Sequence, residues 1–246
     1  CPNHMNPALS YLDPSQVDSI KVYAGIAPVS VGGDSIGGSI IAETAAPEFA
    51  APGQASLVKG EVGAFYRSNG NARGGNVAAT YATESFNISY TGAIAQSDNY
   101  DAGGDFKDSL FVAGTDPGFT GHPGHTLPLD EVGSTAYDTR NHTLGLAFRG
   151  GNHLVEAKFG LQDLPEQLWP NQRMDMLDND QQRVNLRYLG DLDWGTLEAR
   201  VYHEDVDHFM DFGDDKKYWY NNAVGADYNG AECVVTPFPS SCAAGM

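Results

Sequence analysis

The 246 residues carry 14 Lys and Arg against 32 Asp and Glu, a formal charge of −18, with 41% hydrophobic content. That charge and the lack of any basic stripe argue against a nucleic-acid partner, and the apolar content argues against wholesale disorder. No stretch approaches the roughly 18 consecutive apolar residues of a membrane helix, whereas a membrane β-barrel, whose strands alternate apolar and polar residues, stays open. At about 150 residues per domain the length allows one or two domains. The opening at Cys1 without an initiator Met, the lack of a signal-like segment and the stop at Met246 lead us to expect a segment of a longer protein.

In chain order, Cys1-Pro2-Asn3-His4-Met5 sets a thiol and a thioether four residues apart, which on a helical turn brings both sulfurs to one face. Thiolate and thioether are soft donors that select Cu(I), and zinc, which takes Cys, His and carboxylate, is disfavoured. The same pair is equally what two ordinary core residues look like. Pro14 to Gly25 reads as a turn or helix start running into a strand, and a Gly-rich stretch, Val31-Gly32-Gly33-Asp34-Ser35-Ile36-Gly37-Gly38-Ser39-Ile40, follows it.

From about Leu57 the chain alternates in runs of about nine to twelve residues broken by turn residues, the signature of strands. Val62, Ala64 and Tyr66 share one face, as do Val77, Ala79 and Tyr81, and then Phe86, Ile88 and Tyr90. Leu144, Leu146 and Phe148 stand against Thr143, Gly145 and Ala147; Val155, Ala157, Phe159 and Leu161 stand against Glu156, Lys158 and Gln162. Val184, Leu186 and Tyr188 oppose Arg183, Asn185 and Arg187, and Leu197, Ala199 and Val201 oppose Glu198, Arg200 and Tyr202. About seven strands result. Their connections alternate: short turns at Thr83-Glu84-Ser85, Gly150-Gly151-Asn152 and Gly190-Asp191-Leu192-Asp193, and long ones from Ser97 to Tyr137, Asp163 to Gln181 and Asp211 onward. Only Asn69-Gly70-Asn71 is tight on the long side. Short turns at one end and long loops at the other are the layout of an outer-membrane barrel, although a soluble sandwich alternates in the same way.

In His208-Phe209-Met210 an imidazole and a thioether stand two residues apart, on one face of a strand. Parity from Glu198 and Arg200 sends both inward. About fifteen residues at roughly 3.3 Å each, tilted about 45°, would lift them some 35 Å, above an apolar band about 25 Å tall. Met174-Asp175-Met176 repeats the thioether spacing in a predicted long loop, a possible accessory metal site. Cys233 and Cys242 in the last loop are candidates for a disulfide in an oxidising exterior, which leaves Cys1 as the odd thiol, unless it pairs outside this segment. Asp98, Asp101, Asp105 and Asp108, and Asp205, Asp207, Asp211, Asp214 and Asp215, would draw cations toward the loop end or simply solvate it.

No catalytic pattern survives inspection. Gly33-Asp34-Ser35-Ile36-Gly37-Gly38 is interrupted by Ile36 for a serine nucleophile, and His203 and His208 would face opposite ways on a strand. A non-enzyme is therefore expected.

The stretch from Asp13 to Thr44 resembles the end of the plug domain of TonB-dependent outer-membrane receptors, where an Ile-Gly-Gly-x-Ile run closes the plug before the first barrel strand. Val31 stands where a Tyr is usual, and Ala24 replaces a commonly charged residue. The Cys-x-x-x-Met and His-x-Met pairs together resemble the metal site of the copper-binding subgroup of these receptors, the OprC and NosA type. The resemblance implies an all-β fold in which residues 1–50 are the end of an α+β plug. Residues 51–246 would then supply about seven antiparallel strands of a transmembrane barrel of about 22. It implies a location in the Gram-negative outer membrane, contact with its lipid, energy from the periplasmic partner TonB, and import of copper. Cys1, Met5, His208 and Met210 would hold the ion, and His4 has no assigned role. The alternatives are the same fold with a siderophore or other chelate as cargo, held by Trp169, Tyr218, Trp219 and Tyr220, and a secreted β-sandwich that binds carbohydrate or acts as an adhesin.

Overall fold

The computed structural model describes residues 14, 17–31, 37–106, 111–112, 126–172, 174–211 and 215. They form an all-β arrangement of antiparallel sheets. A hairpin of β1 (Ser19–Ala24) and β2 (Gly38–Glu43) comes first, paired from Ser19 opposite Glu43 to Ala24 opposite Gly38. Then come β3 (Leu57–Arg67), β4 (Ala72–Ala82) and β5 (Phe86–Ser97). Four two-residue strands follow, β6 (Tyr100–Asp101), β7 (Phe111–Val112), β8 (Thr126–Leu127) and β9 (Glu131–Val132). The chain ends in β10 (Tyr137–Gly150), β11 (His153–Gln167), β12 (Asp175–Leu192) and β13 (Gly195–Asp211). The long strands make one seven-stranded sheet in the order β3, β4, β5, β10, β11, β12, β13, an unbroken meander. Two small sheets, β6 with β9 and β7 with β8, lie in the connection between β5 and β10. No helix among the described residues is long and apolar enough to cross a membrane.

Register decides what each face carries, because side chains alternate along every strand. Val201 pairs with Leu186, Leu186 with Ala157, Ala157 with Leu146, Leu146 with Ile88 and Ile88 with Tyr81, a row of apolar side chains crossing six strands. The next row over is polar: Arg200 pairs with Arg187, Arg187 with Glu156, and Asn87 lies on the same face two strands on. Arg187 reaches Glu156 through Nη1 and Glu198 through Nε, both at 2.8 Å, and Arg200 Nη2 joins Glu198 at 3.3 Å.

A soluble sheet buries its apolar face and wets its polar one; here the arrangement is inverted. Val62 is 82% exposed, Val201 69% and Leu161 55%, all on the apolar face. A contiguous exposed apolar surface of this breadth is an interaction surface. The polar face instead carries the amino-terminal segment. Lys158 Nζ donates to Thr44 Oγ1 and Asn87 Nδ2 to the Glu48 carbonyl, both at 2.6 Å, and Lys59 pairs with Glu48. Between segment and wall lies a cavity of about 310 Å³ lined by Asp18, Glu61, Ser89, Thr91, Glu156 and Lys158, among others. A sandwich needs a second sheet packed on the apolar face, and none covers it among the described residues.

The expected alternation of connections is present. At one end the turns are Thr83–Ser85, Gly151–Asn152 and, displaced from the expected Gly190–Asp193, the pair Asp193–Trp194. At the other, a 3₁₀ turn of Asn69–Asn71 needs Gly70 at φ +70°, where an added Cβ would stand 2.7 Å from Ser97 Oγ. One expectation is corrected. The connection assigned to Asp163–Gln181 is mostly strand, since Gln162 pairs with Gln181, Asp163 with Asp180 and Gln167 with Met176. The backbone ladder continues where polar residues occupy both faces, so alternation vanishes while hydrogen bonding does not.

Candidate metal centre

The loop ends of β12 and β13 form the region of interest. β13 runs without a break in register from Gly195 to Asp211, so His208 and Met210 share the face of Glu198 and Arg200, as parity predicts. Across from them, Met176 is the partner of Met210 and Asn179 the partner of His208. Residues 176 and 179 would face opposite sides of a regular strand. A register shift between Met176 and Asp178 inserts one extra residue, Leu177, and turns Met176 to the polar face that Asn179 already shares with Arg183 and Arg187. Two thioethers, an imidazole and an amide thus occupy neighbouring positions on one patch of the wall. Directly opposed residues have Cβ atoms about 4.5–5.5 Å apart, within the span of a single coordinated ion.

The patch is sheltered. Met176 is fully buried, and so is Asp175 beside it. The Asp175 carboxylate accepts from Ser134 Oγ and from the Trp169 backbone N–H, each at 2.8 Å. Ser134, with φ +59°, also donates its backbone N–H to Asp215 Oδ2 at 2.7 Å. Asn99 organises the same junction: its Nδ2 donates to Asp215 at 2.7 Å and Glu131 at 2.8 Å, and its Oδ1 accepts the N–H groups of Thr135 and Ala136. These bonds tie Asn99 and the 131–136 stretch to one another, and Ser134 joins them to the end of β12 at Asp175. His208 and Met210 are half-buried and Phe209, facing the other way, is exposed.

The remaining predicted site residues divide clearly. Cys1 and Met5 lie outside the described residues, as do Cys233, Cys242, Asp108, Asp214, Tyr218, Trp219 and Tyr220. Met174 sits one residue before β12 and is half-buried; Met176, assigned to a loop from sequence, is in the strand and has Met210 as its partner. Of the predicted acidic loops, Asp205, Asp207 and Asp211 lie in β13, and Asp215 serves as a structural acceptor. Among the described residues no group of three or more His, Cys, Asp and Glu side chains is placed to hold a metal. The patch itself offers two thioethers, which are soft ligands, and one imidazole. Asn179 was not singled out from sequence, because it falls in the Asp163–Gln181 stretch assigned to a connection, where its pairing with His208 leaves no mark in the residue pattern.

No protein-family model matches the chain and no curated protein matches it. Among solved structures it is similar to the copper transporter OprC, with a TM-score of 0.63 and 23% identity over 89% of this chain. The match covers 29% of that transporter, so the chain spans less than a third of its length. At that identity the likeness establishes the fold.

Proposed function

We propose that this chain is part of an outer-membrane transporter that takes up copper. In this reading the seven-stranded sheet is a sector of a transmembrane barrel and the 17–48 segment is the end of a plug seated in its lumen. The inverted faces support it, since lipid outside and a polar, plugged interior inside reward apolar-out, polar-in strands. On β11 the apolar residues Val155, Ala157, Phe159 and Leu161 lie between His153 beside the turn and Asp163, a span of ten residue steps. At roughly 3.3 Å per residue and a tilt of about 45° this rises about 23 Å, the height of an outer-membrane apolar band.

The observation that supports the cargo is the alignment of His208, Met210 and Met176 on the polar face of the sheet, at the loop ends of β12 and β13. Cys1 and Met5, brought by the plug, complete a thiolate, thioether and imidazole set suited to copper. Division of the ligands between plug and wall makes release a mechanical event: plug rearrangement driven through TonB separates them and leaves the wall with an incomplete set. Titration of full-length protein with Cu(I), for wild type, Cys1→Ala and Met210→Ala, tests this. One high-affinity ion lost or strongly weakened in both variants is expected, and unchanged stoichiometry and affinity in both refutes the site. The likeness to OprC is in keeping with copper rather than a chelate.

A further inference from the structure

The wall patch contains one buried polar atom that nothing satisfies. Asn179 is 1% exposed, and its Oδ1 has no hydrogen-bond partner among the described residues. Buried side-chain oxygens are almost always bonded, so an orphan calls for a group that arrives later. The residue directly across the ladder is His208. Gln181, the diagonal neighbour, bonds Glu204 through its Nε2, while Asp178 pairs with Phe209 and so faces the apolar side.

An imidazole that ligates a metal through one nitrogen keeps a proton on the other, and the acceptor of that proton sets the tautomer and the ring plane. We propose that Asn179 is the positioning residue of His208: its Oδ1 accepts the N–H of the non-ligating ring nitrogen when the other nitrogen holds copper beside Met210 and Met176. The inference rests on the copper reading above. A neutral amide also fits the charge of the site. One thiolate and one Cu(I) sum to zero, and a carboxylate in this place would add an uncompensated negative charge to a sheltered spot.

The test uses full-length protein and Cu(I) in competition with bicinchoninate, with heat-modifiable gel migration to show that each barrel is folded. Asn179→Ala is expected to weaken copper binding about 10- to 100-fold, and Asn179→Ser, shorter but still a neutral acceptor, to weaken it less. In a His208→Ala background the further change Asn179→Ala is expected to cost nothing, because the amide acts through the ring. A cost that persists in that background overturns the positioning role, as does wild-type affinity in Asn179→Ala. Those results leave the copper site standing; a wild type that takes up no copper overturns the copper reading and the role of Asn179 with it.

Discussion

Val201 and Tyr202 are consecutive residues of β13 with nearly equal exposure, 69% and 73%, on opposite faces of the sheet. A soluble sheet would treat a substitution at either as a surface change worth no more than about 0.5 kcal/mol. A bilayer would not. Val201 stands six residues beyond Gly195, which starts the strand beside Trp194. At roughly 3.3 Å per residue and about 45° of tilt it lies about 14 Å above the turn, near the middle of an apolar band about 25 Å tall. Arginine on the lipid face at that depth costs about 2–4 kcal/mol, roughly 30- to 700-fold in the folding equilibrium. Tyr202→Arg faces the lumen between Arg200 and Glu204, opposite Asn185, and is expected to change stability little. Denaturant titration of the full-length protein in lipid vesicles, read by heat-modifiable migration, measures both. Equal effects of Val201→Arg and Tyr202→Arg would refute the assignment of the apolar face to lipid, and with it the barrel.

Met176→Ala removes a fully buried side chain and is expected to destabilise the protein by about 2–5 kcal/mol, whereas Met176→Leu, close in volume, should cost less than about 1.5 kcal/mol. If the thioether contributes to the copper site, both variants weaken Cu(I) binding in chelator competition; a leucine variant with native affinity would confine Met176 to packing. In the hairpin, Glu43 is held below the ordinary carboxylate value of 4.5 by a hydrogen bond from Lys21, another from Ser19 and the Lys21 charge. A carboxyl lowered by folding stabilises the folded state above its ordinary value, and the contribution fades as pH falls through the lowered one. The stability difference between wild type and Glu43→Gln should therefore be small and salt-sensitive at neutral pH, as befits an exposed pair. It should vanish on acidification, in denaturant titrations run across pH.

How far the fold was legible in the sequence follows from where alternation exists. Between about Leu57 and Tyr202 apolar and polar residues alternate, so runs such as Leu197 to Tyr202 state their own facing, and all seven long strands were found with their residues correctly divided between the two faces of the sheet. Beyond the band both faces are polar. Gln181, Gln182, Asp180 and Asp163 then read as loop, although the ladder pairs them. Met176 was lost to the predicted loop for that reason. Asn179 was hidden for the same reason, although it keeps the parity of Arg183 and Arg187; the facing of Met176 was hidden more deeply, because it depends on the extra residue Leu177, and a bulge is a backbone event with no required side chain here. The reverse holds for His208 and Met210. They lie on an unbulged strand, so counting by twos from Arg200 places them correctly.

A strand needs about 9–11 residues to cross a bilayer, yet β12 has 18 and β13 has 17. The surplus is at the loop end, and on the proposed reading it has a definite use. A metal site inside the band would need its imidazole and sulfurs to displace the charge ladder of Arg187, Glu156 and Glu198, which the polar wall already uses to satisfy itself. Raised above it, the wall offers Met176, Asn179, His208 and Met210 instead, apolar or neutral side chains that bind without first breaking an ion pair. The height also matches the cover. Ser134 can bond Asp175, next to the buried Met176, only because β12 rises far enough to meet it. The long strands, the bulge and the folded loop are thus one construction: a soft-donor patch lifted clear of the charged wall, sheltered from water on the loop side and open toward the plug.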